Sequence, residues 1–188
     1  MNVEIEAKFR LHDPEAMRAR LAALGSKPLG RVLEHNTFFD TVDSSLRAGD
    51  RGLRLRLIEP ESGPRSALLT YKGPRQAGPF KARQEEQTEV ACAQGAGAIL
   101  AALGYAPKLF FQKLRESFQL GPARIELDEL PELGHFLEIE APCAEDIQAA
   151  RHALGLDDEP VLPEPYTEMI AQRLAGREGQ AELRFRRV

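Results

Sequence analysis

The chain has 188 residues, of which 43% are hydrophobic and 29% are charged, and its formal net charge is −4. This composition predicts a globular protein with one sizeable core, and it disfavours a protein whose whole surface binds nucleic acid. No apolar run is long enough to span a bilayer, the first residues lack a secretion-signal pattern, and the two cysteines form no CxxC motif. We therefore expect a cytoplasmic protein without membrane contact.

The predicted elements are mostly strands, with a few helices between them. The first helix opens on an N-cap residue, a first-turn proline and a first-turn acid (Asp13, Pro14, Glu15), and it ends at Gly25. Further helices are predicted at 94–103, 145–154 and 165–175. The predicted strands are 2–11, 33–40, 52–59, 65–73, 82–91, 109–119, 122–129 and 135–141. Because hairpin-like neighbours dominate, we expect a mostly antiparallel sheet and an α+β fold.

Charged and apolar residues alternate along most of these strands. Residues 3–10 read VEIEAKFR, residues 53–57 read LRLRL, and residues 136–141 read FLEIEA. Successive side chains of a strand point to opposite faces, so each of these strands has one charged face and one apolar face. An antiparallel sheet with one wet side produces the same alternation, and for any single strand this is the simpler explanation.

The kind of polar residue favours a different arrangement. The polar positions are almost all charged, and like charges occur two residues apart, as in Glu4 and Glu6 or Arg54 and Arg56. Two carboxylates at ~5 Å repel by roughly 3 kcal/mol at an effective dielectric near 20, and a cation between them turns that repulsion into coordination. If the sheet closes with its charged face inward, it forms an eight-stranded barrel whose tunnel is ionic and whose apolar face lies under the helices. We expect this domain to span residues 1–175, with 176–188 as a tail that is either disordered or a short extra strand.

Such a tunnel would contain a hard-oxygen site and a ring of cations. The predicted carboxylates are Glu4, Glu6, Glu85, Glu138 and Glu140. The predicted cations are Lys8, Arg54, Arg56, Lys72, Arg83, Lys113 and Arg115. Mg²⁺ or Mn²⁺ takes carboxylate and phosphate oxygens, and Arg and Lys bind phosphate oxygens. A short polyphosphate chain with a divalent cation satisfies both sets of residues.

These residues belong to an ordered series of motifs that resembles the CYTH superfamily, the triphosphate tunnel metalloenzymes. The series is Glu4-x-Glu6-x-Lys8, FFDT at 38–41, LRLR at 53–56, TYKGP at 70–74, Arg83-x-Glu85, Lys113-x-Arg115, LDELPELGHFLEIE at 127–140 and EPYTEMI at 164–170. The resemblance implies an eight-stranded antiparallel tunnel barrel and divalent-metal-dependent chemistry on a small-molecule triphosphate. The last motif departs from the family, because Pro165 stands where serine is common.

The resemblance also implies roles for individual residues. The metal-binding acids would be Glu4, Glu6, Glu138 and Glu140, with Glu85 as a further ligand that could also deprotonate the attacking water. The phosphate-binding bases would be Lys8, Arg54, Arg56, Lys72 and Arg115, and Arg83, Lys113 and Asp128 would join the site. Lys8 could contact either the phosphate or the water.

Three functions remain open at this stage. Hydrolysis of inorganic triphosphate, thiamine triphosphate or a nucleoside triphosphate is favoured, because it needs only water and the triphosphate. The first alternative is cyclisation of ATP to cyclic AMP and pyrophosphate in the same tunnel. The second is a non-catalytic module that binds polyphosphate or triphosphate-ended RNA, although such a binder has less need of so many carboxylates. We expect the protein to be a monomer or a homodimer. Apart from the RNA-binding alternative, we expect no nucleic-acid partner.

Overall fold

A computed structural model describes residues 2–77, 80–177 and 182–186, without the side chains of residues 2–4 and 81. The strands in these ranges are β1 (Asn2–Arg10), β2 (Lys27–Asp40), β3 (Gly52–Pro60), β4 (Ser66–Gln76), β5 (Lys81–Glu89), β6 (Ala106–Leu120), β7 (Ala123–Leu130), β8 (Gly134–Ala141) and β9 (Glu182–Leu183). The helices are α1 (Pro14–Ala23), α2 (Ser45–Ala48), α3 (Ala93–Ala102), α4 (Ala144–Leu154) and α5 (Tyr166–Leu174). None of these helices has the length and apolar content that crossing a bilayer requires.

The first eight strands close into a barrel. The sheet order is β2-β3-β4-β5-β1-β8-β7-β6-β9, and a further antiparallel pairing between β2 and β6 joins the two sides. This pairing runs from Lys27 opposite Gln119 to Asp40 opposite Ala106. The short strand β9 adds to β6 in parallel, outside the closed ring. The predicted α+β fold with a closed eight-stranded antiparallel barrel is therefore confirmed.

The apolar face of the sheet lies outside the barrel, under α1 and α4 and, over β3 and β4, under α3. Alternate residues of β1, β7 and β8, such as Phe9, Ile125 and Ile139, are fully buried in one apolar cluster with side chains of these two helices. From the helices, Leu21 and Ile147 enter the same cluster. Full burial of one such side chain contributes about 1.5–3 kcal/mol, so the charged residues between them are directed inward.

One end of the barrel is lined by aromatic and apolar residues and is covered by α5. Phe111 on β6 and Phe136 on β8 occupy inward positions at this end, in register with the charged residues farther along the same strands. They pack in a second cluster with Tyr166, Ile170 and Leu174 of α5. This packing places the N-terminal turn of α5 beside the interior of the barrel.

Two local differences from the sequence prediction have clear causes. The strand β2 begins at Lys27, not at residue 33, because its first residues pair with the far end of β6 across a bulge between Pro28 and Gly30. The one-turn helix α2 is absent from the prediction. It is held by the carboxylate of Asp40, which accepts hydrogen bonds from the backbone N–H of Leu46 at 2.9 Å and of Arg47 at 3.0 Å. A four-residue helix is too short to produce a helical period in the sequence.

Candidate active site

A cavity of about 1140 Å³ occupies the interior of the barrel. Its walls carry nearly all the charged side chains that the alternating strands direct inward, and it extends to residues at both ends of the barrel. The predicted site residues that line it are Glu6, Lys8, Arg54, Arg56, Lys72, Arg83, Glu85, Lys113, Arg115, Glu138 and Glu140. Two predicted residues are not among these. Asp128 is buried and forms ion pairs with Lys113 and Arg115, and Glu4 has its backbone in β1 but its side chain lies outside the described residues.

Three of the predicted metal ligands lie together on neighbouring strands. Glu6 of β1 stands opposite Glu140 of β8, and Glu138 stands opposite Lys8. One carboxylate oxygen from each of Glu6, Glu138 and Glu140 lies within 4.8 Å of the others. Nearby cations offset their repulsion, since Glu138 is 3.3 Å from Lys8 Nζ and 2.5 Å from an Arg115 nitrogen. This group of hard oxygen atoms is chemically suited to a small divalent cation.

Arg115 links this acidic group to a second pair of acids, Glu126 and Asp128. It donates two hydrogen bonds of 2.6 Å to Asp128, lies 3.0 Å from Glu126, and is 3.9 Å from Glu140. Burial alone would lower the pKa of Arg115, but Asp128 and Glu126 raise it well above its usual value. Arg115 is therefore a permanent cation, and its attachment to four carboxylates makes it a structural element of the site.

A further buried network continues around the wall to β2 and β3. Lys113 lies 3.2 Å from Asp128 and 3.3 Å from Glu34, and Arg56 lies 2.9 Å from Glu34. Burial alone would raise the pKa of the Glu34 carboxyl, but the positive charges of Lys113 and Arg56 lower it to about 2. Glu34 is therefore ionised at neutral pH, and it fixes the positions of two of the predicted phosphate-binding cations.

Arg54 differs from the other cations of the tunnel. Its side chain is only 8% exposed and lines the cavity. Its buried Nε atom has no hydrogen-bond partner among the described residues, which is also true of Arg56 and Arg83. Unlike those two, its guanidinium group forms no ion pair with any carboxylate whose side chain the structure describes. Buried polar atoms are normally hydrogen-bonded, and a buried charge is normally paired. A guanidinium of this kind is prepared to bind an anion that enters the cavity.

Two other predicted residues, Lys72 and Arg83, are held by acids on neighbouring elements. Lys72 and Glu85 face each other across β4 and β5 and form an ion pair. Arg83 donates to the Asp50 carboxylate at 2.9 Å and to the backbone carbonyls of Asp50 and Gly73 at 3.0 Å each. Arg83 therefore connects the loop before β3 to strand β4 and also lines the cavity.

Tyr166, the first residue of α5, covers two of the interior ammonium groups. Its hydroxyl donates to Asp128 at 3.0 Å, and its ring centroid lies 3.7 Å from Lys8 Nζ and 5.5 Å from Lys113 Nζ. Lys8 Nζ also donates to the Glu164 carbonyl at 3.2 Å. Burial, followed by the charge of Asp128, raises the pKa of the Tyr166 hydroxyl well above its usual value, so it stays protonated. The Tyr166 ring and the Glu164 carbonyl together fix the position of Lys8. Pro165, which stands between them, does not prevent these contacts.

Sequence analysis did not single out two buried acids of this network, Glu34 and Glu126, as site residues. Both are 1% exposed and line the cavity. Glu126 belongs to the alternating stretch RIELDE, so the alternation could have placed it on the charged face of the strand. Glu34 lies in EHNTFFD, where charges do not alternate, and only the pairing of β2 with β3 and β6 directs it toward Arg56 and Lys113.

Comparison with known proteins agrees with this geometry. The family model described as the CYTH domain matches residues 2–155. The chain is 32% identical over 188 residues to adenylate cyclase CyaB of Aeromonas hydrophila, covering 98% of this chain and 87% of that protein. The solved structure of the PH1819 protein from Pyrococcus horikoshii OT3 superposes with a TM-score of 0.79 at 23% identity, covering 90% of this chain and 99% of that one. That of HpAC1 from Hippeastrum, a candidate adenylyl cyclase with a dominant triphosphatase activity, superposes with a TM-score of 0.64 at 21% identity, covering 90% and 95%. The motif series, the charged tunnel and these matches lead to one conclusion: the chain belongs to the CYTH domain family.

Proposed function

We propose that this protein is a divalent-metal-dependent triphosphatase that hydrolyses a phosphoanhydride bond of a small triphosphate inside the tunnel. The observation that carries the proposal is the position of Arg54 in the same cavity as the acidic group Glu6, Glu138 and Glu140. A buried cation that forms no ion pair with a described side chain requires an anion, and clustered carboxylates require a cation. A metal–triphosphate complex supplies both at once.

The walls of the tunnel fit an extended chain of phosphates better than a single anion. Arg54 and Arg56 lie two residues apart on β3, and their inward side chains are about 7 Å apart along the strand. Lys72 lies on the neighbouring strand, where Gly52 is its pairing partner. The cations on these adjacent strands are therefore spread along the tunnel over more than the length of one phosphate group. Each of them can bind a different phosphate oxygen.

The acidic group fits Mg²⁺ or Mn²⁺. Glu6, Glu138 and Glu140 would hold the ion, with Glu4 and Glu85 as further predicted ligands. Carboxylate oxygens are the ligands these hard cations prefer. When bound, the ion would neutralise negative charge on the phosphate oxygens and polarise the phosphorus atom.

The protein's own residues would perform the remaining steps. Arg54, Arg56 and Lys72 bind and orient the phosphate chain, and Lys8, fixed by Tyr166, Glu138 and the Glu164 carbonyl, stabilises charge at the reacting phosphate. A water oxygen bonds to the terminal phosphorus while the bond from that phosphorus to the bridging oxygen breaks. The proton of the water passes to Glu85, and the bond's electron pair leaves with the diphosphate. Electrostatic stabilisation and positioning would account for most of the rate enhancement.

Cyclisation of ATP is the second candidate function, because a relative 32% identical to this chain is named an adenylate cyclase. The same tunnel would then direct the ribose hydroxyl to the innermost phosphorus, with pyrophosphate as the leaving group. The structural neighbour from Hippeastrum, which combines a cyclase name with a dominant triphosphatase activity, supports placing hydrolysis first.

A product assay separates these functions. Purified protein is incubated with inorganic triphosphate, thiamine triphosphate or ATP, in Mg²⁺ or Mn²⁺, and phosphate, pyrophosphate and cyclic AMP are measured separately. We expect phosphate release, loss of that release in Glu85→Gln, and full activity in Glu86→Gln, a neighbouring exposed acid on the other face of β5. Cyclic AMP with pyrophosphate would support the cyclase instead. Tight binding of triphosphate with no product would support the non-catalytic binder.

A further inference from the structure

Strand β6 extends past the end of its neighbour β7 and leaves one edge for the last strand of the chain. β7 pairs with β6 from Leu114 onward. Before that residue, Phe110 and Phe111 of β6 pair in parallel with β9. A strand edge offers unpaired N–H and C=O groups, and β9 pairs with this one. Both β9 and α5 lie outside the residues 2–155 that match the family model.

Residues 182–185, which we call the C-terminal segment, contact the barrel at three successive residues. The Leu183 side chain is 1% exposed. The guanidinium carbon of Arg184 lies 3.9 Å from the centroid of an aromatic ring of β6. The backbone N–H of Phe185 donates to Gln112 Oε1 at 2.8 Å. The C-terminal segment is therefore packed against β6.

Helix α5 needs packing from other elements because it is short. It has nine residues, and its N-cap residue, Pro165, makes no side-chain cap hydrogen bond. Isolated helices shorter than about 12–15 residues are marginal in water. The side chains that α5 buries are Tyr166, Ile170 and Leu174, and Leu183 belongs to the same apolar cluster. The C-terminal segment therefore supplies part of the packing that keeps α5 on the barrel.

A second set of contacts near the C-terminal end of α5 is more exposed. Arg173 and Arg177 form ion pairs with Glu132, at 2.9 Å and 2.7 Å. The three side chains are between 31% and 47% exposed. Ion pairs at such exposure contribute little to stability, whereas a fully buried leucine contributes more. The burial of Leu183 therefore makes the larger contribution to holding α5.

The first residue of α5 is Tyr166, whose ring centroid lies 3.7 Å from Lys8 Nζ. A cation–π contact requires the ammonium group to stay within about 6 Å of the ring centroid. Tyr166 also has contacts of its own, a hydrogen bond of 3.0 Å to Asp128 and an edge contact with the ring of Phe136. A loosening of α5 would therefore displace the ring from Lys8 in part and would not remove it.

We propose that the C-terminal segment holds α5 on the barrel and thereby keeps the Tyr166 ring on Lys8. Leu183 does not line the cavity, so it is a positioning residue that acts through α5. This inference rests on the proposed function, in which Lys8 stabilises charge at the reacting phosphate. The expected effect is on kcat, because Arg54 and Arg56 would still bind the phosphate chain.

The test compares Leu183→Ala with Leu154→Ala, the same substitution in α4. Leu154 is 2% exposed and belongs to the separate apolar cluster under α1 and α4, so both variants lose a buried leucine side chain. Leu183→Met keeps a large apolar side chain and serves as the conservative variant. Should Leu183→Ala fail to fold, Leu183→Val against Leu154→Val gives the same comparison with a smaller loss.

Four quantities are measured in each variant. They are the Tm, the hydrogen exchange of α5 and α4, kcat and KM for inorganic triphosphate, and the NMR shift of the Lys8 ε-methylene protons. These protons lie beside the ammonium group that faces the Tyr166 ring, so the ring shields them. Their shift reports the position of the ring without any need for turnover.

We expect Leu183→Ala to speed hydrogen exchange in α5 and to reduce the shielding of the Lys8 protons. It should lower kcat by about 3- to 30-fold, the range that partial to complete loss of a cation–π contact gives, with little change in KM. Leu154→Ala should lower the Tm but leave α5 exchange, the Lys8 shift and kcat unchanged. Leu183→Met should behave like the unaltered protein.

A double-mutant cycle tests whether Leu183 acts through Tyr166. Tyr166→Leu removes the ring, so adding Leu183→Ala to it should cause no further loss of kcat. Losses that multiply in the double variant would mean that the two residues act independently, and the positioning role would then be wrong.

The remaining outcomes separate this inference from the proposed function. Unchanged α5 exchange and an unchanged Lys8 shift in Leu183→Ala would overturn the inference, whatever the activity. Faster α5 exchange with an unchanged kcat would mean that the C-terminal segment serves the fold alone. If the unaltered protein hydrolyses no triphosphate, the proposed function fails. The exchange of α5 and the Lys8 shift then still decide whether the C-terminal segment holds the helix and the ring.

Discussion

Replacing Arg54 by methionine should make the protein more stable and much less active. Arg54 is 8% exposed, and among the described residues its guanidinium has no ion-pair partner. An unsatisfied buried polar group costs about 1–3 kcal/mol, and contact with the cavity reduces that cost. Arg54→Met should therefore raise the free energy of unfolding by about 1–2 kcal/mol. For a chain of this size, that corresponds to a Tm increase of roughly 2–8 °C.

The matched variant is Arg115→Met, because Arg115 carries the same charge in the same tunnel but is paired with Asp128, Glu126 and Glu138. Removing it leaves buried carboxylates without their cation, which should lower the free energy of unfolding by about 3–5 kcal/mol. Thermal unfolding of both variants at neutral pH, without triphosphate, gives the comparison.

Activity supplies the second half of the test. Loss of one charged hydrogen-bond donor to a phosphate removes about 1.5–3 kcal/mol, so kcat/KM of Arg54→Met should fall by about 10- to 150-fold. Added triphosphate should raise the Tm of the unaltered protein more than that of the variant. If Arg54→Met is destabilised as strongly as Arg115→Met, or retains full activity, then Arg54 serves the fold and not the substrate.

Three further predictions concern the acidic group, α5 and pH. Glu6→Gln should leave the fold intact, as judged by circular dichroism, and should abolish turnover. Chelation of divalent ions should abolish turnover by the unaltered protein. Persistent turnover in either experiment would remove the metal from the mechanism. Tyr166→Phe keeps the ring over Lys8 and should lose less activity than Tyr166→Leu, which also removes a cation–π contact of about 2 kcal/mol; equal kcat values and pH profiles for the two variants would contradict a positioning role for the ring. The pKa of Glu34 is lowered by folding from 4.5 to about 2, so its ionised form stabilises the native state above pH 4.5 and this contribution is lost as the pH falls toward 2. Urea unfolding across that range should show the loss in the unaltered protein and a flatter pH dependence in Glu34→Gln.

The strand alternation and the motif order were enough to predict the barrel and most residues of the tunnel wall. The period of two in VEIEAKFR, LRLRL and FLEIEA assigns each charged residue to the face opposite Val, Ile or Leu. Because the apolar face has to be buried under helices, which are α1 and α4 over β1 and β8 and α3 over β3, the charged face can only turn inward. This reasoning is local, and it needs no knowledge of which strands are neighbours.

Tertiary structure alone decided the partners of those charges and which apolar side chains lie beside one another on the tunnel wall. Glu34 has no charged neighbour two residues away, and it meets Arg56 and Lys113 only because β2 pairs with both β3 and β6. Val32, Ile58 and Leu68 are ordinary apolar residues in the sequence, and they become one surface only through the diagonal register of three strands. Periodicity determines the face on which a side chain lies, whereas register and closure determine what it meets there. Residues distant in the chain are brought together by strand pairing, and no local pattern records that pairing.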